Sequence, residues 1–270
     1  MAADEPVYTH GHHDSVLRSH RSRTVANSAA YLVPHLTAGA SLLDVGCGPG
    51  TITVELAQRV APGRVTAIDA SEPVLAEARS LAAERGVTSV EFTTGDVHAL
   101  DFPDNTFDLV HAHQVLQHVH DPVLALREMA RVCRPGGVIA ARDADYAAMT
   151  WYPEVPELTE WLALYRTVAR SNRGEPDAGR RLVSWARSAG LTDLTATASA
   201  WCYATPAERD WWGGSWSDRI RESAIARQAV AEGVATEADL ARLSAGWRTW
   251  AATEDGWFAV LHGEILARAY

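Results

Sequence analysis

The sequence contains no lysine, and all 24 of its basic residues are arginine. A Schiff-base mechanism needs a lysine amine, and the phosphate-binding loop of nucleotide hydrolases needs a lysine ammonium, so both kinds of chemistry are excluded. Cysteine is also scarce. Cys47, Cys133 and Cys202 lie far apart and form no CxxC pair. An odd number of dispersed thiols predicts neither a disulfide scaffold nor a zinc site built on cysteines.

Long apolar runs are absent as well. No stretch reaches the roughly 18 residues that a membrane span needs. The first residues, MAADEPVYTHGHHDS, are polar and lack a hydrophobic signal core, so we expect a cytoplasmic protein. Acidic residues outnumber basic ones by 34 to 24, giving a formal charge of -10. Long-range repulsion from phosphate backbones and anionic lipid favours a small-molecule partner over nucleic acid or membrane.

The order of strand-like and helix-like segments predicts the fold class. Short apolar runs alternate with stretches of helical periodicity through the first half of the chain. The predicted strands are 41–45, 64–68, 90–93, 107–111 and 137–141, and the predicted helices are 51–60, 72–85 and 122–132, with helical spacing also in 24–36 and from Gln114 onward. Such alternation predicts a doubly wound, mostly parallel α/β sheet with both faces covered.

The second half of the chain differs in composition and rhythm. All ten tryptophans lie between Trp151 and Trp257, five of them within 207–250. Helices are predicted at 157–170, at 179–189 and through most of 207–250, a long strand at 191–203, and a strand or helix at 257–267. We expect a single compact domain with an N-terminal cap or lid at 1–39, a cofactor-binding core at 40–142, and helices of a substrate pocket plus two last strands at 143–270.

A glycine-rich turn follows the first predicted strand. The motif Asp44-Val45-Gly46-Cys47-Gly48-Pro49-Gly50 has the pattern D-x-G-x-G-x-G. The next residue, Thr51, occupies the position of the third glycine in a dinucleotide-binding fingerprint, and it can cap the next helix. Glycines there let a ligand approach the backbone closely, and the next helix presents free amides. A ligand site is therefore predicted at the carboxyl ends of the strands, but not one for a pyrophosphate.

Three predicted strands each end near a carboxylate. Asp44 ends the first, Asp69 the second, and Asp96 follows the third. In a parallel sheet these ends share one edge, where carboxylates can accept hydrogen bonds from ribose hydroxyls, an amino group or a cationic ligand. The combination predicts a site for a nucleoside that carries positive charge.

With these motifs in place, the sequence resembles the class I S-adenosylmethionine-dependent methyltransferases. The matching blocks, in the order of that family, are LLDVGCGPGT at 42–51, VTAIDAS at 65–71, GDVHALDF at 95–102, FDLVHAHQVLQHV at 107–119 and RVCRPGGVIA at 131–140. The sequence is similar to the small-molecule branch, in particular to C-methyltransferases of quinone biosynthesis. The resemblance implies a Rossmann-like, seven-stranded sheet whose last two strands are 191–203 and 257–267, with an N-terminal helical cap and helical insertions in the C-terminal half.

The resemblance also implies a cofactor, S-adenosylmethionine, with S-adenosylhomocysteine as its product, and no metal. Asp69 would hold the ribose diol and Asp96 with the Val97 amide would read adenine. Histidines at 111 and 113 depart from the family pattern. The residues expected at the cofactor are Asp44, Gly46, Cys47, Gly48, Gly50, Thr51, Asp69, Ala70, Ser71, Asp96, Val97, Ala112 and His113.

Methyl transfer is an in-line displacement, so positioning of the acceptor is the main task, with a general base needed only for a protonated nucleophile. The candidate bases are His113 and His118, on a predicted helix after the fourth strand, although either could instead be structural. The four histidines from His111 to His120 do not converge simply, so no metal site is predicted.

Acceptor recognition is predicted in three places. Asp143, Asp145 and Tyr146 follow the fifth strand and face the crevice, or else pair with Arg173, Arg180 or Arg181. The N-terminal segment is either a lid or an exposed arm. Tryptophan side chains offer apolar area and stacking for an aromatic or bulky hydrophobic acceptor. The remaining candidates for acceptor contact are Tyr8, His12, His13, Arg18, Trp212 and Trp216.

Three functions fit these residues. The first is methyl transfer to O, N or C of a small metabolite in specialised metabolism, by a protein that could form a homodimer. The second is a cyclisation or rearrangement that uses the cofactor without methylation. The third is a non-catalytic module that senses S-adenosylmethionine or another nucleoside.

Overall fold

The computed structural model of the chain describes residues 19–269, and these residues form two compact units. The sheet unit comprises residues 20–144, 178–199 and 262–269. The aromatic unit comprises residue 19 and residues 145–177 and 200–261. Chain connections therefore pass between the units several times.

The sheet unit has the predicted alternation of strands and helices. Its five parallel strands are hydrogen-bonded in the order β3-β2-β1-β4-β5. The elements along the chain are α1 Val25–Ser28, a 3-10 helix Ala30–His35, β1 Leu42–Val45, α2 Thr51–Val60, β2 Val65–Asp69, α3 Glu72–Glu84, β3 Val90–Thr94, β4 Phe107–His113, α4 Pro122–Val132, β5 Cys133–Ala144, a 3-10 helix Ala178–Arg181 and α6 Leu182–Ser188.

Burial on both faces of β1 explains why this segment is a central strand. All four of its residues are buried. Leu43 and Val45 pack into one core cluster with Met129 of α4, whereas Leu42 packs into the other with Leu56 of α2. Each buried leucine contributes about 2 kcal/mol to stability. A strand that is apolar on both faces is stable only between two helical layers, so β1 fixes the position of the glycine turn that follows it.

The two C-terminal strands predicted from the sequence are present. β7 spans Leu194–Tyr203 and pairs with β8, which spans Trp257–Arg268. Within the sheet unit β8 runs antiparallel to β5, with Val138 opposite Arg268 and Ala144 opposite His262. The α/β class is confirmed, and the described residues contain one strand more than the seven expected.

The additional strand, β6 at Thr150–Tyr152, belongs to the aromatic unit and pairs antiparallel with the first residues of β8. Apart from the last residues of β7, the other elements of this unit are helical, as predicted for 157–170 and 207–250. They are a 3-10 helix Tyr146–Ala148, α5 Pro156–Ser171, α7 Pro206–Glu222, α8 Ala224–Ala231 and α9 Glu237–Ala252. Among the described residues, no helix is both long and apolar enough to cross a membrane.

Two local predictions were wrong, and a third was confirmed only in part. Residues 114–121 form a turn rather than a helix, because Gln114 has a left-handed backbone. The helix α4 begins only at Pro122, where the Asp121 side chain caps its first turn by accepting from the Leu124 N–H. Thr51 does not cap α2: Gly50 occupies the cap position and the Thr51 hydroxyl donates to the His20 carbonyl. The helical spacing of 24–36 becomes two short helices, the second of which contains a proline.

Candidate functional site

The turn between β1 and α2 is a loop of left-handed glycines. Gly46, Gly48 and Gly50 have φ values of 65°, 56° and 80°. A side chain at Gly46 would collide with Val115, and one at Gly50 would come within 2.9 Å of the Ala78 Cβ. At Gly48 the space is open, and the closest atom is the His20 Nδ1 at 4.0 Å from the Cβ position. Gly48 is therefore the point at which a ligand can reach the backbone of the loop.

Asp69 is fixed against this loop. One carboxylate oxygen accepts from the Gly48 N–H at 3.0 Å and the other from the Ser71 N–H at 3.0 Å. Each oxygen keeps a further lone pair, so the carboxylate can still accept from a pair of hydroxyl groups. This oriented acceptor beside an open glycine fits the ribose of an adenosyl cofactor.

Backbone bonds connect the first three strand ends. The Cys47 N–H donates to the Ile68 carbonyl at 2.9 Å, and the Gly95 N–H donates to the Asp69 carbonyl at 3.2 Å. The loops after β1, β2 and β3 are thereby held at one edge of the sheet unit. Burial raises the pKa of the Cys47 thiol strongly, so this side chain is neutral and unreactive there.

Asp96 follows β3 and is oriented by His98. Its Oδ1 accepts from the His98 N–H at 2.9 Å and lies 2.8 Å from the His98 Nδ1. Partial burial opposes ionisation of Asp96, but these hydrogen bonds outweigh it and lower its pKa. The carboxylate stays ionised and 65% exposed, so it can accept from an amino group. Val97, the next residue, is buried.

Asp44 is placed differently from the other two acids. It is buried, and its oxygens accept from the Thr53 hydroxyl at 2.6 Å and the His111 ring at 2.8 Å. Both partners lie on neighbouring elements, α2 and β4. Because Asp44 is buried as well as hydrogen-bonded, the structure gives it a bracing role next to the glycine loop.

The candidate bases lie at the end of β4 and in the turn beyond it. His113 is buried, and desolvation, reinforced by the positive charge of Arg23, lowers its pKa well below the usual 6.5. Burial and Arg23 also lower the pKa of His118 to about 3. Both imidazoles are neutral at cellular pH, but such low pKa values make them weak proton acceptors. Ala112, which was also expected at the cofactor, is fully buried.

Asp143, near the end of β5, is also buried. Its Oδ1 accepts from the Gln117 N–H at 3.1 Å, and burial raises its pKa to about 7. Its Oδ2 has no hydrogen-bond partner among the described residues. Asp143 is thus the one predicted acceptor-contacting residue that the structure places in the sheet unit.

The other predicted acceptor residues fall elsewhere. Asp145 and Tyr146 are in the aromatic unit, where Tyr146 stacks on Tyr165 with ring centroids 4.0 Å apart. Trp212 and Trp216 are buried in the aromatic cluster of that unit, whose rings include Trp161, Trp247, Trp250 and Phe258. The predicted lid residues Tyr8, His12, His13 and Arg18 lie outside the described residues.

Sequence reasoning missed the residues that connect these parts. Arg23 Nη2 donates to the Gln114 Oε1 at 2.6 Å, and the Gln114 Nε2 lies 2.8 Å from the His262 Nε2. Positive φ at a residue that is not glycine leaves no mark in the sequence. Within residues 19–269, no three metal-ligating side chains are grouped so that they could hold a metal ion.

Comparison with known proteins agrees with this geometry. The family model described as "Methyltransferase domain" matches residues 36–201. The chain therefore belongs to the class I S-adenosylmethionine-dependent methyltransferases.

Two relatives are similar over nearly their full lengths. An uncharacterized methyltransferase of Schizosaccharomyces pombe is 32% identical over 97% of this chain and 96% of its own. The probable methyltransferase ltbC of Aspergillus luteorubrus is 30% identical over 96% of both. A demethylmenaquinone methyltransferase of Listeria monocytogenes is 38% identical over 44% of this chain and 48% of its own.

Solved structures with the same fold include the [4+2]-cyclase SpnF. It superposes with a TM-score of 0.52 at 24% sequence identity, covering 87% of this chain and 79% of that one. At this identity the likeness concerns the fold alone.

Proposed function

We propose that this enzyme methylates O, N or C of a small, bulky hydrophobic or aromatic metabolite, in specialised or quinone-like metabolism. The observation that carries the proposal is the ring cluster of the aromatic unit, in which the buried Trp212 stacks with Tyr203 and Trp211, whose side chains are only partly buried. Aromatic side chains offer apolar area and stacking that suit a planar acceptor. The named quinone methyltransferase relative, which matches under half of this chain, points to the same class of acceptor.

For the cofactor we propose the roles that the sequence predicted. When bound, S-adenosylmethionine supplies a methyl group whose leaving group is already activated. Asp69 accepts from both ribose hydroxyls, Asp96 accepts from the adenine amino group, and the open face of Gly48 contacts the cofactor directly. Asp44 supports the glycine loop by accepting hydrogen bonds from Thr53 and His111.

The low pKa values of His113 and His118 bear on how the acceptor is activated. A base with a pKa of about 3 gives little driving force for removing a proton at neutral pH. We infer that the two histidines act as neutral hydrogen-bonding groups that orient the acceptor, and that orientation supplies most of the rate. Orientation of this kind is worth about 7–11 kcal/mol of the barrier.

A cofactor-dependent reaction without methyl transfer is the second candidate. It is favoured by one observation, that the fold of this chain is shared with a [4+2]-cyclase. Such a reaction would consume no methyl donor, whereas methylation converts one S-adenosylmethionine into one S-adenosylhomocysteine per product.

Product analysis decides between the two. The enzyme is incubated with S-adenosylmethionine and either planar phenols and quinols or small polar amines and acids. We expect S-adenosylhomocysteine to form with the planar group, in a ratio of one to the methylated product. Turnover of a planar acceptor without S-adenosylhomocysteine would establish the second function, and turnover of the polar group alone would overturn the proposed acceptor class.

A further inference from the structure

Gln114 has a backbone conformation that residues other than glycine rarely adopt. It follows β4 directly, with a φ of 54°. Its N–H donates to the Arg142 carbonyl on β5 at 2.7 Å, which holds the strained turn in place. Strain of this kind persists where the surrounding structure enforces it, and it is concentrated at functional sites. The turn directs the side chain of Gln114 to two partners on other elements.

These partners fix which way the amide of Gln114 points. The guanidinium of Arg23 can only donate, so the Gln114 Oε1 must face it, at 2.6 Å. The Gln114 NH2 then faces His262 on β8, whose Nε2 accepts at 2.8 Å. One side chain thus connects the N-terminal segment, the end of β4 and β8 within the sheet unit.

Arg23 belongs to a short segment, residues 20–23, that lies along the glycine loop. The His20 carbonyl accepts from the Thr51 hydroxyl at 3.3 Å, and the His20 ring approaches the open side of Gly48. Arg21 pairs with Glu77 at 2.9 Å, but both side chains are substantially exposed. Exposed ion pairs contribute little, whereas a short hydrogen bond from a charged donor is stronger. The Arg23–Gln114 bond is therefore the stronger of these two side-chain tethers of the segment.

We propose that Gln114 is a positioning residue that retains S-adenosylmethionine by holding residues 20–23 across the glycine loop. The inference rests on the proposed cofactor site at that loop. Gln114 acts through Arg23, so its loss weakens cofactor binding and leaves the methyl-transfer step itself less affected.

The test uses a set of substitutions in the full chain. Gln114→Ala and Gln114→Gly both remove the amide, but only glycine relieves the strain at positive φ. Gln114→Glu keeps an oxygen that accepts from Arg23, while His262 changes tautomer and donates to it. Arg23→Met removes the same bond from the other side. Arg21→Ala, which breaks the exposed pair on the same segment, is the matched control.

Calorimetric titration with S-adenosylmethionine gives the affinities, and steady-state kinetics give its KM and the kcat. We expect binding about tenfold weaker in Gln114→Ala, Gln114→Gly and Arg23→Met, with a raised KM and kcat within about twofold. Gln114→Glu and Arg21→Ala should bind like the wild type. Amide hydrogen exchange of residues 20–29 should be faster only in the variants with weakened binding. A variant that destabilised another part of the protein would not show this local effect.

Several results would overturn the inference. The first is that Gln114→Ala and Arg23→Met both bind S-adenosylmethionine as tightly as the wild type. The second is that Gln114→Gly alone recovers wild-type affinity. The third is that Gln114→Glu loses as much affinity as Gln114→Ala. Recovery of affinity in Gln114→Gly alone would show that cofactor binding depends on the backbone conformation at this position and not on the side-chain amide. A wild-type protein that binds no S-adenosylmethionine would instead refute the proposed cofactor site, so the two failures are distinguishable.

Discussion

Asp143 shows how one residue makes stability depend on pH. Burial raises its pKa from 3.8 to about 7, since the charged form loses its hydration. The folded state therefore holds the proton more tightly than the unfolded state. Stability from the protonated form is complete below about pH 4 and is lost as pH rises to about 7.

Asp143→Asn should remove this dependence. The asparagine is neutral at every pH, and its amide oxygen can still accept from the Gln117 N–H. We expect the free energy of unfolding of the variant, relative to that of the wild type, to rise by a few kcal/mol between about pH 4 and pH 7. Above about pH 7 the difference should stay constant. Urea denaturation of both proteins across this range measures the difference. A difference that stays constant with pH would contradict the raised pKa.

Residues whose role depends on neighbours in the chain could be predicted from the sequence, and residues whose role depends on distant partners could not. Gly48 and Asp69 each lie at or just after the end of a strand that the local apolar pattern predicts, and the structure places both residues at those strand ends. Gln114 finds Arg23 at a separation of 91 residues and His262 at 148, so no local pattern indicates the bridge. The pKa values of His113 and His118 likewise depend on burial that spacing does not show.

Among the elements, the loop from β1 to α2 needs a left-handed backbone at all three of its glycines, but only two of them also lack room for a side chain. Gly48 and Gly86 share a left-handed backbone, at 56° and 65°, and neither position is sterically crowded. They differ in place, because Gly86 follows the C-cap residue of α3, whereas the Gly48 N–H donates to Asp69. Comparing the two separates the cost of the backbone from the loss of a ligand contact.

Gly48→Ala and Gly86→Ala should each lower the free energy of unfolding by about 1 kcal/mol, the cost of placing a Cβ in the left-handed region. Only Gly48→Ala should also weaken binding of S-adenosylmethionine. Urea unfolding and a cofactor titration of both variants check this. Equal cofactor affinity in the two would show that no ligand approaches Gly48.

Elements with a strong periodic pattern matched their predictions, and irregular ones did not. The parallel strands and α5 follow from apolar spacing. For α7, α8 and α9 the sequence predicted only a mostly helical stretch at 207–250. β6 has three residues and pairs only through β8, so its sequence carries almost no strand signal. The turn at 114–121 was missed because apolar spacing there resembles that of a helix.

For the whole molecule, sequence and structure are both consistent with the proposal that the sheet unit holds the cofactor. Its strand ends bring the loops bearing Gly48, Asp69 and Asp96 to one edge, and family membership supplies the reaction class. The ring cluster of the aromatic unit supports an apolar acceptor. The acceptor itself could not be read from the sequence, since buried and ligand-facing tryptophans have the same spacing.

The most direct test is calorimetric titration of S-adenosylmethionine into the wild type, Asp69→Asn and Asp101→Asn. Asp101 is an exposed acid in the loop after β3 and serves as the control. Asparagine at 69 loses a charged acceptor and sets an NH2 group against the N–H of Gly48 or Ser71. We predict one site in the wild type and in Asp101→Asn, and binding at least about tenfold weaker in Asp69→Asn. Equal affinity in all three proteins, or no binding by the wild type, would contradict the account.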